Sequence, residues 1–269
     1  MSLHTLRRVT GLIAVLAILP ADAYSQRQSS RTGRTVLVEL YTSQGCDMCP
    51  TAEKILGELG GSSKSVAPVA LHVDYFNRPW KDPFSDSLNS QRQMSYQNTY
   101  KGPKDPSLGL YYTPMVMVDG TKTVNGRDSA SLKSAVAAAR QKAPGVTIQA
   151  KINREVEKGK TRLSVTVTPI LSRTNGKEQL ICAVLREDHS TTSVESGENA
   201  GKTLENRYPS LRFKFERLKI EDKKPVDVTF EFDMDKSWDD SKLNFVIFVQ
   251  DVATGEVHQT SVIPLSGKS

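Results

Sequence analysis

Cysteine, histidine and tryptophan are scarce in this chain, with three, four and two among 269 residues. With no second C-x-x-C and no paired histidines, the sequence does not supply the four ligands of a structural zinc site. No histidine stands in a recognisable partner motif for a Ser-His-Asp hydrolase. The glycines of "SGENAGKT" (196–203) lack the strand-to-helix setting of a phosphate loop and read as a turn. The formal charge of +6 is spread along the chain with no aromatic-basic motif beside it, which argues against nucleic-acid binding. Apolar runs of about 20 residues, the length a membrane span needs, are absent.

The one apolar run near the start, Gly11–Leu19, follows Arg7 and Arg8 and precedes small residues at Ala21 and Ala23. This is the pattern of a secretory leader, residues 1–23, cut after Ala23 by the general export route. The chain is therefore expected to be exported, periplasmic or secreted, with no membrane span after cleavage. No cysteine follows the cut for lipid attachment. In that oxidising setting paired cysteines tend to form disulfides.

Residues 24–34 are polar, without apolar periodicity, and read as a flexible lead-in. From 35 to 143 strand and helix patterns alternate in the order β-α-β-α-β-β-α: "TVLVELY", a helix burying Ala52, Ile55, Leu56 and Leu59, "PVALHVDYF", a helix over about 85–100, a hairpin around Asp119-Gly120, and an alanine-rich helix capped by Asp128 or Ser129. From 146 to 269 seven short alternating strands predict a β-sandwich in which nothing looks catalytic. Cys182 alternates there with Leu180 and Val184 and reads as a core residue.

The stretch "YTSQGCDMCPTAEKILGEL" (41–59) holds the other two cysteines. Cys46-x-x-Cys49 by spacing alone fits a redox dithiol, a metal clip or an inert disulfide. Its surroundings favour the dithiol: a strand, a short loop, then a helix whose unpaired first-turn N–H groups favour a thiolate at Cys46, with Cys49 beneath it and Pro50 tolerated so early. Asp47 opposes that thiolate, so a reducing or intermediate couple is expected. Soft sulfur at Met48 and Met115 makes Cu(I) the alternative ligand of Cys46 and Cys49, with Met115 and Met117 expected on opposite sides of their strand, so that at most one joins. His72 reads as a satisfied core histidine, Trp80, Lys81, Asp82 and Phe84 as cover over the helical insertion, and Asp74 and Tyr75 as lining for the groove.

This strand, the Cys46-x-x-Cys49-Pro50 helix and a later strand opened by Thr113-Pro114 resemble the thioredoxin fold. The resemblance implies a cis bond before Pro114, substrate backbone held at Thr113 and Pro114, and Glu39 as a buried acid relaying a proton to Cys49. A second resemblance, carried by "VELYTSQGCDMCPTAEKILGEL", "HVDYF" with "WKDPF", "RQMSY", "YYTPMVMVDG", "GENAGKTL" and "FVQDVATGEV", is to exported bacterial proteins of domain-of-unknown-function family 1223. It implies an α/β class: a thioredoxin-like N-terminal domain followed by an all-β extension.

The expected function is an exported thiol-disulfide oxidoreductase that needs no cofactor. It would act on thiol- or disulfide-containing proteins or small molecules and depend on a separate redox partner. The alternatives are a Cu(I)-binding protein using the same cysteines and a non-catalytic structural or adhesive protein.

Overall fold

Within the polar lead-in, Arg27–Ser29 forms a strand, β1, antiparallel to β6 (Val146–Glu155). The architecture comes from a computed structural model that describes residues 27–29, 33–155, 159–221 and 223–266. The expected leader, 1–23, lies outside the described residues. So does part of the lead-in, but ordered structure begins before the expected Thr35.

A four-stranded sheet carries β2 (Val36–Thr42), β3 (Val66–His72), β4 (Met115–Val118) and β5 (Lys122–Asn125), in the order β3-β2-β4-β5. The β2–β3 pair is parallel and the others antiparallel. Between these strands lie α1 (Cys49–Ser62) and α2 (Ser87–Thr99), and α3 (Ser129–Arg140) follows, with the Asp128 carboxylate accepting from Ser131 N–H as its N-cap. The β4–β5 turn needs two left-handed residues, supplied by Asp119 (φ 47°) and Gly120 (φ 66°). A Cβ on Gly120 would stand 1.8 Å from the Gly255 carbonyl oxygen, so no other residue fits there. Asp119 also accepts from the Leu37 N–H at 2.8 Å and from the Arg34 guanidinium at 2.7 Å, tying the turn to the strand's start.

Period-two alternation in β2 divides its side chains between two environments. Val36, Val38 and Leu40 pack with Leu56 of α1 and Leu132 of α3. Leu37 and Tyr41 point the other way and meet Val184, Val246 and Phe248. Those residues belong to a second sheet, of β8 (Lys177–Glu187), β11 (Ser210–Ile220), β13 (Leu243–Asp251) and β14 (Val257–Pro264), ordered β11-β8-β13-β14. Its far face, with Ile181, Leu185, Phe245 and Ile247, packs on a third sheet of β1, β6, β7 (Lys160–Pro169) and β12 (Val226–Asp233). The middle sheet is thus covered on both faces, and all nine residues of β13 are buried. At about 1.5–3 kcal/mol for each large apolar side chain buried, this layer is a main source of stability. A two-stranded ribbon, β9 (His189–Ser193) with β10 (Thr203–Arg207), leaves the stack and reaches α1.

Fourteen strands in four sheets stand against three α-helices among the described residues, so the chain is mostly β. The expected class, an α/β thioredoxin-like domain followed by a separate β-sandwich, is overturned by this assembly. The elements come in the expected order, but α1 and α3 cover one face of the first sheet only. The other face is closed by a sheet of the C-terminal half, with α2 joining at the margin through Tyr96. A sandwich-like β fold does fit the packed second and third sheets. Among the described residues no helix is long and apolar enough to cross a membrane.

Candidate functional site

The chain leaves β2 at Thr42, turns through Ser43–Met48 and starts α1 at Cys49. The turn is tied by Cys46 N–H to the Ser43 carbonyl (3.2 Å) and by Cys49 N–H to the Cys46 carbonyl (3.3 Å). Cys46 therefore precedes the first helical residue by one turn, and Cys49 opens the helix with Pro50 behind it. No side chain caps the helix at Met48, which leaves the first N–H groups open to a thiolate. Cys46 and Cys49 are both buried, at 2% and 0% exposure.

The two thiols are pushed apart in acidity. The Cys46 thiol is held down to about 7, first by a hydrogen bond with Cys49 and, against the effect of burial, by the Thr113 hydroxyl and the N–H groups of Met48 and Cys49. Burial pushes the Cys49 thiol well up, the neighbouring Cys46 adds to the rise, and the Ser43 backbone and Thr42 hydroxyl offset only part of it. The outer sulfur is the ready nucleophile and the inner one keeps its proton. Thr113 stands in a cis Thr113–Pro114 bond. Cys46, Cys49 and Thr113 thus lie together at the start of α1.

Tyr75 borders the pair: the charges of Cys49 and Cys46 add to the effect of burial in raising its phenol. Its ring lies 4.4 Å from that of Tyr111, centroid to centroid, and its hydroxyl donates to Gln93 Oε1 at 3.1 Å. Asp74 is instead engaged by the Ser90 hydroxyl of α2. Asp47 is exposed on the turn, and its N–H donates to Glu198 Oε2 at 2.9 Å. The Glu198 carboxylate thereby occupies one N–H of the turn.

Glu39 does not serve the dithiol. Its place in β2 turns it to the face opposite α1, where Arg92 pairs with it and the hydroxyl of Tyr96 donates to Oε2 at 2.7 Å. The methionines do not converge on the thiols either: Met48 is 41% exposed, and Met115 is packed between the two sheets with Leu37 and Tyr41. Met115 and Met117 share one face, because residues two apart in a strand must; the expectation that they part was mistaken. Among the described residues no group of three or more His, Cys, Asp or Glu side chains is placed to hold a metal ion.

The sequence reading missed two sets of residues. One is the loop between β9 and β10, taken as a plain turn, which covers the dithiol: Asn199 is fully buried and its amide donates to the carbonyls of Gln44 and Cys46, each at 2.9 Å. Asn206 of β10 accepts from the Gln44 side-chain amide at 2.7 Å. The block "GENAGKTL" (197–204) held Asn199, with Asn206 just beyond it, but their partners lie some 150 residues earlier and leave no local pattern. The other set is Glu53, His72 and Asp82, buried beneath Cys49. Glu53 falls on the apolar face of α1 with Ala52, Leu56 and Leu59, and a carboxylate on such a face was the available signal.

A family model described as "Protein of unknown function (DUF1223)" matches residues 37–250. No functionally curated protein matches the sequence. Among solved structures, a protein from Agrobacterium tumefaciens is similar at 17% identity and a TM-score of 0.63, with 89% of this chain and 98% of that one covered. HBP35 of Porphyromonas gingivalis is similar at 12% identity and a TM-score of 0.61, over 87% of this chain and 76% of that one. At these identities the likeness concerns the fold alone.

Proposed function

The chain belongs to the DUF1223 family, which carries no assigned activity, and from its own site we propose that it is a thiol-disulfide oxidoreductase. The observation that supports this reading is the split between the two thiols of one turn: Cys46 lowered to about 7, Cys49 raised, with the Thr113 hydroxyl on the outer sulfur. A structural staple gains nothing from such a split, whereas an exchange reaction needs it.

In the reducing direction the Cys46 thiolate attacks one sulfur of a substrate disulfide. The substrate S–S bond breaks, and the departing sulfur leaves as a thiolate that takes up a proton. Cys49, once deprotonated, attacks Cys46 in the mixed disulfide and releases the second substrate sulfur. A separate dithiol partner returns two electrons to the Cys46–Cys49 disulfide. Thr113 and Pro114 present backbone beside the reacting sulfur and are suited to align an extended substrate. Asp47, next in sequence to Cys46, opposes its thiolate and favours the disulfide, which points to a reducing or intermediate couple. The reading of residues 1–23 as a leader places this activity outside the cytoplasm.

The test is the reduction potential of the mature protein in graded thiol buffers, with alkylated cysteines counted by mass. A reversible transition at or below about −180 mV supports the assignment and its direction. A midpoint near about −120 mV overturns the direction, and a pair that resists reduction until the fold is lost overturns the function.

A further inference from the structure

Three titratable side chains lie in a row beneath the inner thiol, and the exchange reaction as written gives them no task. Glu53 sits one helical turn after Cys49 on the buried face of α1. His72 ends β3, fully buried, and Asp82 reaches it from the loop before α2, Oδ2 to Nδ1 at 2.7 Å. On its other side the His72 Nε2 is buried with no hydrogen-bond partner and stands 3.9 Å from Glu53 Oε1. The same Glu53 oxygen accepts from the Thr42 hydroxyl at 3.0 Å, and that hydroxyl is also a hydrogen-bond partner of Cys49.

Burying two carboxylates and an imidazole is costly unless they are paired or used, and an apolar residue would fill the Glu53 site on a face of Ala52, Leu56 and Leu59 without that cost. The inner thiol meanwhile has a need. Burial makes it keep its proton at neutral pH, yet it must lose that proton to attack Cys46.

We propose that Glu53 receives the Cys49 proton through the Thr42 hydroxyl, with the His72–Asp82 pair as the charge that holds Glu53 ready. The inference rests on the oxidoreductase reading above. As the Cys49 S–H gives its proton to Thr42 Oγ1, the Thr42 hydroxyl proton passes to Glu53 Oε1. The Cys49 thiolate then forms its bond to the Cys46 sulfur, the bond from Cys46 to substrate breaks, and the electron pair leaves on the substrate sulfur. When the partner reduces the disulfide, the proton returns along the same path.

The surroundings of Glu53 suit this exchange. Burial raises its carboxyl, while the His72 charge, the Thr42 hydroxyl and the Arg207 N–H of β10 pull it back, and Asp82 works against them. His72 faces Asp82, Glu53 and the Phe84 ring. Asp82 is held in turn by the N–H groups of Gln44 and Phe84, so the pair is anchored to the dithiol turn itself. Glu53 is a positioning residue acting through Thr42, and its signature is a pH profile.

Full-length mature protein, reduced and mixed with excess oxidised glutathione, reports two steps when quenched and weighed: glutathione joining Cys46, then ring closure by Cys49. In Glu53→Gln, closure at pH 7 should slow by about a hundredfold and its pH profile move upward, while alkylation of Cys46 stays within about twofold. Thr42→Val should do the same and Thr42→Ser should restore the rate, which keeps the test open if Glu53→Gln does not fold. Closure at the wild-type rate and profile in both Glu53→Gln and Thr42→Val overturns the relay alone. A wild-type protein that never forms the mixed disulfide overturns the oxidoreductase reading, and the relay with it.

Discussion

Asn199 donates to the carbonyl of Cys46 at 2.9 Å across 153 residues of chain. Its amide reaches the Gln44 carbonyl as well, so one buried side chain from the β9–β10 loop sets the path of the backbone that carries the nucleophile. The site belongs to neither half of the chain, because α1 and β2 supply the thiols and the C-terminal ribbon closes over them.

That closure predicts that access to Cys46, only 2% exposed, is limited by the ribbon. Asn199→Ala leaves the Gln44 carbonyl without its donor and the Cys46 carbonyl with only the Cys49 N–H, and should cost about 1–3 kcal/mol. Alkylation of Cys46 by iodoacetamide should accelerate several-fold at a pH where the thiol is already ionised. An unchanged rate in the folded variant would mean that the loop is packing and does not govern access.

Alkylation of Cys46 in the reduced protein should follow a titration with its midpoint at about 7. The hydrogen bond from Cys49 is the largest cause of that low value, so Cys49→Ala should move the midpoint up toward about 8.5. Thr113→Val should move it in the same direction by less. A Cys49→Ala profile that stays in place would put the stabilisation in the helix start instead.

Glu39 and Arg92 bear on the fold and not on the exchange. Arg92→Leu strands the Glu39 carboxylate between two sheets and should destabilise by about 3–5 kcal/mol, measured by denaturant unfolding. Glu39→Gln keeps a hydrogen-bonding group for Tyr96 and should leave the closing step by Cys49 at the wild-type rate. A large loss of closure in that variant would return Glu39 to the proton path from which its position in β2 removes it.

Much of this was legible locally. The helix start at Cys49, the Asp128 cap, the Asp119-Gly120 turn and the burial of Cys182, whose thiol burial pushes up to about 12, all follow from patterns within a few residues. What covers the second face of the first sheet did not follow. The alternation in β2 announces two buried faces, but either helices or another sheet can bury the second, and the choice lies in pairings far along the chain. Glu39 shows the same limit at a single residue. Its buried strand was evident, but which face it took, and so whether it met Cys49 or Arg92, depended on a register that one sequence leaves open. Glu53 and His72 were readable as polar residues in apolar elements, and only the fold set them beside each other.

The His72–Asp82 pair should give the protein a stability maximum at moderately acid pH. Asp82 is lowered in the fold, where the His72 charge, its hydrogen bond and the Gln44 and Phe84 N–H groups outweigh burial. Its contribution is therefore present above the unfolded value of about 4 and is lost as pH falls through the folded one. His72 is raised, because Asp82 and then Glu53 outweigh burial. Its contribution is complete below the unfolded value of about 6.5 and is lost as pH rises through the folded one. Glu53, raised by burial, loses stability in the same direction as pH climbs. The difference in Tm between wild type and His72→Asn should therefore be largest between about pH 4 and 6.5 and shrink on both sides. A difference independent of pH would show that His72 is neutral in the fold, which would remove the positive charge proposed to hold Glu53 ready.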